Sequence, residues 1–172
     1  MIKTLVLGGG CFWCTEAIFK YVDGVIDIKP GYAGGLSTKP TYEEVCSGQS
    51  GHAEVVKINF NSIKISVNKL LGIFFNTHDP TTLNRQGNDI GNQYRSVIFY
   101  SDQSEYEFFK DYINSLNQSK LFNSSVVTKL EKLSSFYQAE EYHQNYFEKN
   151  PLNSYCNLVI KPKVEKFRNS NL

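Results

Sequence analysis

A chain of 172 residues with 18 basic and 17 acidic side chains has a formal charge of +1, so no summed field draws it toward a nucleic acid or an anionic bilayer. The length suits a single domain with a substantial core. The first ten residues carry one lysine and an apolar run confined to positions 4–7, too little for a signal segment or a membrane span. A cytoplasmic monomer is expected, with no nucleic-acid or membrane partner, and its four cysteines should then rest as thiols.

In chain order, residues 4–7 read as a buried strand, Gly8-Gly9-Gly10 as a tight turn and 11–21 as a helix ended by Gly24. A second strand is predicted over 25–33, closed by Gly34-Gly35, then a short helix over 41–46 and a strand over 52–60. In that strand Val56, Ile58 and Phe60 share one face, and Glu54 falls on the same face. A helix over 68–76 stops before Asp79-Pro80 and opens a polar loop from 77 to 93. Loops of that length are commonly functional. A strand over 94–100, a helix over 102–116, a strand over 126–133 and a helix over 138–149 follow, with an irregular tail from about 151. No linker or repeat divides 1–172, and the alternation implies an α/β or α+β sandwich, a mixed sheet with helices laid against it.

The chemistry concentrates in Cys11-Phe12-Trp13-Cys14, where the glycine turn enters a helix. A thiol in a first helical turn sits beside unsatisfied N–H groups and the positive end of the dipole, which favours thiolate. Burial of both cysteines as small core residues is the plain alternative. Three glycines argue for close approach of a substrate instead. A zinc site is disfavoured, because no second CxxC or HxxxH accompanies the first and His52, His78 and His143 are scattered.

Gly10-Cys11-Phe12-Trp13 followed by Glu16 resembles the signature of peptide methionine sulfoxide reductase A. Gly31-Tyr32-Ala33-Gly34-Gly35, Gly51-His52-Ala53-Glu54, His78-Asp79-Pro80-Thr81, Gln86-Gly87-Asn88-Asp89-Ile90-Gly91, Gln93-Tyr94-Arg95-Ser96 and Ala139-Glu140-Glu141-Tyr142-His143-Gln144 extend the likeness in order, from residue 8 to about 156. The resemblance implies an α+β fold, a two-layer sandwich of the ferredoxin-like plait type with a mixed sheet. It also implies reduction of methionine (S)-sulfoxide, free or in peptides and proteins, to methionine.

On this resemblance Cys11 is the nucleophile and Glu54 the acid that protonates the departing oxygen. The strand pattern agrees, since a desolvated carboxyl keeps its proton near neutrality. Tyr42 and Tyr94 match tyrosines that hold the sulfoxide oxygen, with Asp89 ordering water or the tyrosine network. Phe12 and Trp13 match an aromatic cage for the terminal methyl group.

Attack leaves a sulfenic acid on Cys11 that a second thiol must condense with. Cys156 matches the family's C-terminal cysteine, in a polar segment mobile enough to swing in, whereas Cys14 stands where many members have glycine. Cys156 is preferred and a relay through Cys14 stays open; Cys46 is expected to be a buried bystander. Thioredoxin or another dithiol is the implied reductant, with no bound metal, flavin or nicotinamide. Two other readings are a general thiol–disulfide oxidoreductase using Cys11 and Cys14, and a non-catalytic binder of oxidised methionine.

Overall fold

In the computed structural model, which describes residues 1–170, β1 (Ile2–Gly8) sends Leu5 and Leu7 into one apolar cluster and Val6 into another, the alternation a pleated strand imposes. α1 (Phe12–Phe19) follows the glycine turn, short of the predicted residue 21, and every residue in it except Trp13 is buried. It is therefore a core helix, apolar nearly all round. β2 (Val25–Ala33) returns after Gly24, whose φ of 96° suits only glycine.

α2 (Tyr42–Cys46) starts in a capping box, the Thr41 hydroxyl accepting from the Glu44 amide while the Glu44 carboxylate accepts from the Thr41 amide. β3 (Ala53–Asn61) and α3 (Val67–Thr77), capped by Ser66, come next. The stretch read as an open loop holds a small hairpin, β4 (Arg85–Gln86) with β5 (Asp89–Ile90), and a 3-10 turn (Asn92–Tyr94). The strand predicted from residue 94 begins only at β6 (Val97–Tyr100), because Arg95 donates its amide to the Asn92 carbonyl and stays in the turn. α4 (Gln103–Ser119), capped by Asp102, leads to β7 (Lys129–Lys132).

The C-terminal quarter departs from expectation. Residues 138–149 do not form one helix but β8 (Phe136–Gln138), a 3-10 turn (Glu141–His143) and the single turn α5 (Tyr146–Lys149). The free edge of β2 captures residues 136–138 with Gly31 opposite Gln138, and Asn145 at φ 56° interrupts helical continuity. Gly31 is required there, since a Cβ would lie 2.3 Å from the Phe136 ring. Nor is the tail irregular: a π-helical turn (Cys156–Ile160) runs into α6 (Lys161–Arg168), and Ile160 and Val164 are buried in the main core. Tertiary burial supplies what this polar segment's local pattern does not advertise.

The sheet has the order β7-β6-β1-β3-β2-β8. Its central four strands, β6-β1-β3-β2, pair antiparallel throughout. With α1 joining β1 to β2 and α3 joining β3 to β6, that is a ferredoxin-like plait. Parallel pairing of β7 with β6 makes the sheet mixed, and the fold is α+β. One face carries α1, α3, α4 and α6 over Leu5, Leu7, Val56, Ile58, Phe60 and Ile98. The other holds a smaller cluster around Val55, Val97 and Phe99. No described helix is long and apolar enough to cross a membrane.

Candidate active site

The chain leaves β1 through three glycines that other atoms press against. A Cβ on Gly8 would come 2.7 Å from the Glu54 carbonyl oxygen, and one on Gly9 about as close to Phe74 and His78, at 2.9 and 3.0 Å. Gly10, at φ 91°, lies under the Gln86 side chain, 2.6 Å from where its Cβ would be. Gln86 is fixed in turn, accepting from the Asp79 amide and donating to the Asp79 carbonyl. His78 is a second buttress: its ring nitrogens contact the Phe74 carbonyl at 2.6 Å and Ser96 Oγ at 2.8 Å. Burial pushes its pKa down to about 4, so it stays neutral. The turn is thereby clamped by groups from β3, α3 and β4.

Cys11 is the N-cap of α1, with φ −61° and ψ 127°, and is 7% exposed. Here the thiolate expected at a helix tip is corrected. Burial pushes the Cys11 thiol well up, and its interactions with Cys14 and the Glu54 charge push it further, outweighing the Trp13 amide that favours the anion. Cys14 moves the other way, held below the ordinary thiol range because Cys11 donates toward it, with Lys163 and Tyr155 assisting. The two thiols are coupled and titrate as a pair, with Cys14 the more acidic partner.

Glu54 on β3 is 2% exposed and shares its face with Val56, Ile58 and Phe60, as the strand pattern predicts. Desolvation raises its pKa well above the carboxylate range, with Asp89 and Cys14 adding to the effect, and Oε2 has no hydrogen-bond partner. A buried carboxyl with a raised pKa and an unpaired oxygen is suited to holding a proton and giving it up. Tyr42 and Tyr94 are half-buried, and after burial itself the Glu54 charge is the main cause raising their pKa values. Both are neutral O–H groups in the field of that carboxyl. Asp89 lies in β5, where its Oδ2 accepts from Tyr155 at 2.6 Å.

Phe12 is sealed, its ring centroid 5.7 Å from Tyr32 and 5.0 Å from His143. Trp13 keeps some surface, stacks on Tyr146 at 3.7 Å and 5°, and donates its indole N–H to His143 Nδ1 at 3.0 Å. Tyr155 meets it edge-on at 6.0 Å. Cys156 is fully buried in the π turn, its amide donating to Asn153 Oδ1, and the Cys14 charge acts on it. The mobile tail expected to carry this thiol is therefore an ordered turn packed against α1. Cys46 is corrected as well: it is exposed, not buried, at the end of α2 beside the Tyr42 hydroxyl. Among the described residues no group of three or more His, Cys, Asp or Glu is arranged to hold a metal ion.

This arrangement meets close parallels among known proteins. The model of the family described as peptide methionine sulfoxide reductase matches residues 3–172. The chain belongs to that family. A relative from Natronomonas pharaonis named peptide methionine sulfoxide reductase MsrA is 51% identical over 98% of this chain and 94% of its own length. The crystal structure of reduced Mxr1 from Saccharomyces cerevisiae superposes with a TM-score of 0.83 at 36% identity, covering 90% of this chain and 89% of that one. The same yeast protein in complex with Trx2 gives 0.60 at 28% identity, with 84% of each chain covered.

The chain is thus an enzyme of the methionine sulfoxide reductase type, and the reductase site contains groups that sequence reading did not assign. Tyr155 reaches both Asp89 and Cys14, the latter at 3.9 Å. His143 stands among Phe12, Trp13 and Tyr42. Glu140 accepts from the Tyr32 hydroxyl and from the Tyr42 amide. The Glu140–His143 segment lies in a motif already noted, and Tyr155 adjoins Cys156; those neighbourhoods were the available signals.

Proposed function

We propose that this reductase converts methionine (S)-sulfoxide, free or in oxidised peptides and proteins, to methionine as a cytoplasmic monomer engaged in repair of oxidative damage. The observation that carries the reading is the buried Glu54 carboxyl, its Oε2 unpaired, acting on the Cys11 thiol at the end of the glycine turn. Cys11 sulfur attacks the sulfoxide sulfur while Glu54 protonates the oxygen, and the Cys11 proton passes to Cys14. The protonated oxygen passes from the methionine sulfur to the Cys11 sulfur as the S–O bond and the transient S–S bond break, so that methionine leaves and Cys11 is left as a sulfenic acid. Tyr42 and Tyr94 hold the oxygen by donated hydrogen bonds, Asp89 anchors the polar side of the site through Tyr155, and Phe12 and Trp13 bound the space for the methyl group.

The sulfenic acid condenses with Cys14, releasing water, and exchange then transfers the disulfide to Cys156. Support for this relay is that Cys14 interacts with Cys11 on one side and Cys156 on the other. An external dithiol of the thioredoxin type restores the thiols by exchange, taking the disulfide onto itself. The reaction needs no bound metal, flavin or nicotinamide.

The test is single-turnover methionine formation by Glu54→Gln. Loss of the acid should slow it by about 10²–10⁴-fold. In the wild type the rate should fall as pH rises through the raised Glu54 pKa, a limb absent from the variant. An unchanged rate and profile would transfer the acid role elsewhere.

A further inference from the structure

Glu16 closes the Cys11 motif, yet none of the steps above uses it. It is 3% exposed, and both of its carboxylate oxygens accept from the Asn145 amide, at 3.0 and 3.1 Å. Asn145 is held at φ 56°, and the next residue, Tyr146, lays its ring flat on Trp13. Trp13 and Glu16 are three positions apart on α1, hence on one side of the helix. The helix therefore grips one segment twice, its backbone through Glu16 and its ring through Trp13.

Lys20, one turn beyond Glu16, donates to Asn145 Oδ1 and to Glu148, both at 2.6 Å. A carboxylate at so closed a position is expensive to keep charged, and burial raises Glu16 to about 7 against the pull of the Asn145 amide and Lys20. Two oxygens committed to main-chain N–H groups, rather than to substrate, mark it as support for the residue that follows them.

We propose that Glu16 is a positioning residue for sulfoxide binding: by holding the Asn145–Tyr146 backbone, it sets the Trp13 indole in the orientation that receives the substrate methyl group. This rests on Trp13 bounding the substrate space. The charged carboxylate accepts with both oxygens, so protonation loosens the segment and the stack. Besides Lys20 and Glu148, the titratable groups about this contact are His143, on the indole N–H and pushed below its ordinary value by burial, and Cys14 and Tyr155 on the dithiol side.

Trp13 is the only tryptophan, so indole emission reports the stack without background. In the wild type the emission should change between pH 8 and 6 with a midpoint near 7, and KM for a methionine sulfoxide peptide should rise severalfold over that range. Glu16→Gln, folded by circular dichroism, should show the low-pH emission and the raised KM already at pH 8, without the transition. The wild-type titration needs no variant, so a variant that fails to fold leaves the test intact. Flat wild-type emission through neutrality, or Glu16→Gln with wild-type emission and KM, overturns the role. Trp13→Phe with an unchanged KM would instead sink the substrate-wall reading and leave the emission transition standing.

Discussion

The turn that carries Cys11 and the segment that carries Tyr155 and Cys156 meet at the same dithiol, but different interactions hold them there. The turn is wedged: Gly8, Gly9 and Gly10 each have protein atoms within 3 Å of where a side chain would begin, and close-packed contacts of that kind leave no room for displacement. The C-terminal segment is tethered by separate hydrogen bonds, Tyr155 to Asp89 and the Cys156 amide to Asn153, together with the burial of Cys156 and Ile160 in the core. On either side, Leu152 and Leu158 remain 94% and 78% exposed. Cys11 thus belongs to the most constrained part of the site, and Cys156 to a segment held by hydrogen bonds and by its own burial between exposed leucines.

Substitutions on the two sides should separate these properties. Cys11→Ser breaks the wedged side outright: methionine formation is lost while the thermal melt is kept, and turnover near wild type would remove Cys11 as nucleophile. Cys156→Ser acts only on the tethered side, giving one methionine per enzyme in a burst and then stalling with thioredoxin. If the relay runs as proposed, Cys14→Ser also slows the first disulfide in rapid-quench alkylation. Normal recycling by Cys156→Ser would confine the redox chemistry to Cys11 and Cys14.

His78 sharpens the comparison through stability. Its folded pKa, near 4, lies below the unfolded value near 6.5, so its contribution is present above pH 6.5 and is lost as pH falls to 4. The size is about 3 kcal/mol, read as the difference in urea unfolding between wild type and His78→Asn at pH 7 and pH 4. Equal pH dependence in the two proteins would show that His78 does not support the turn. Away from both sides, Asp102→Ala removes the α4 cap and should lower stability by about 1 kcal/mol, with activity per folded molecule unchanged.

How much of this was legible in the sequence follows the same division. The strand, glycine turn and helix at the start are local features, and period-two patterning assigned Glu54 to the buried face of β3 correctly. The C-terminal quarter was misread because its structure is decided at a distance. Phe136–Gln138 is a strand only because β2 offers an edge beside Gly31, and α6 is a helix because Val164 finds the core. The thiolate expected at Cys11 failed for a related reason. A helix end is visible in sequence, but the enclosure and the neighbouring carboxyl that outweigh it are assembled by the fold. Cys46 was misjudged on residue type alone, with nothing nearby to reveal that the end of α2 faces solvent.

Tyr155 and Cys156 are consecutive residues, one bonded to the rim of the site and the other hidden beneath it. Neighbouring α-carbons are about 3.8 Å apart, so any shift of the backbone at Tyr155 is shared by Cys156. One peptide link thus joins a hydrogen bond at the rim of the site to a sulfur sealed in the core.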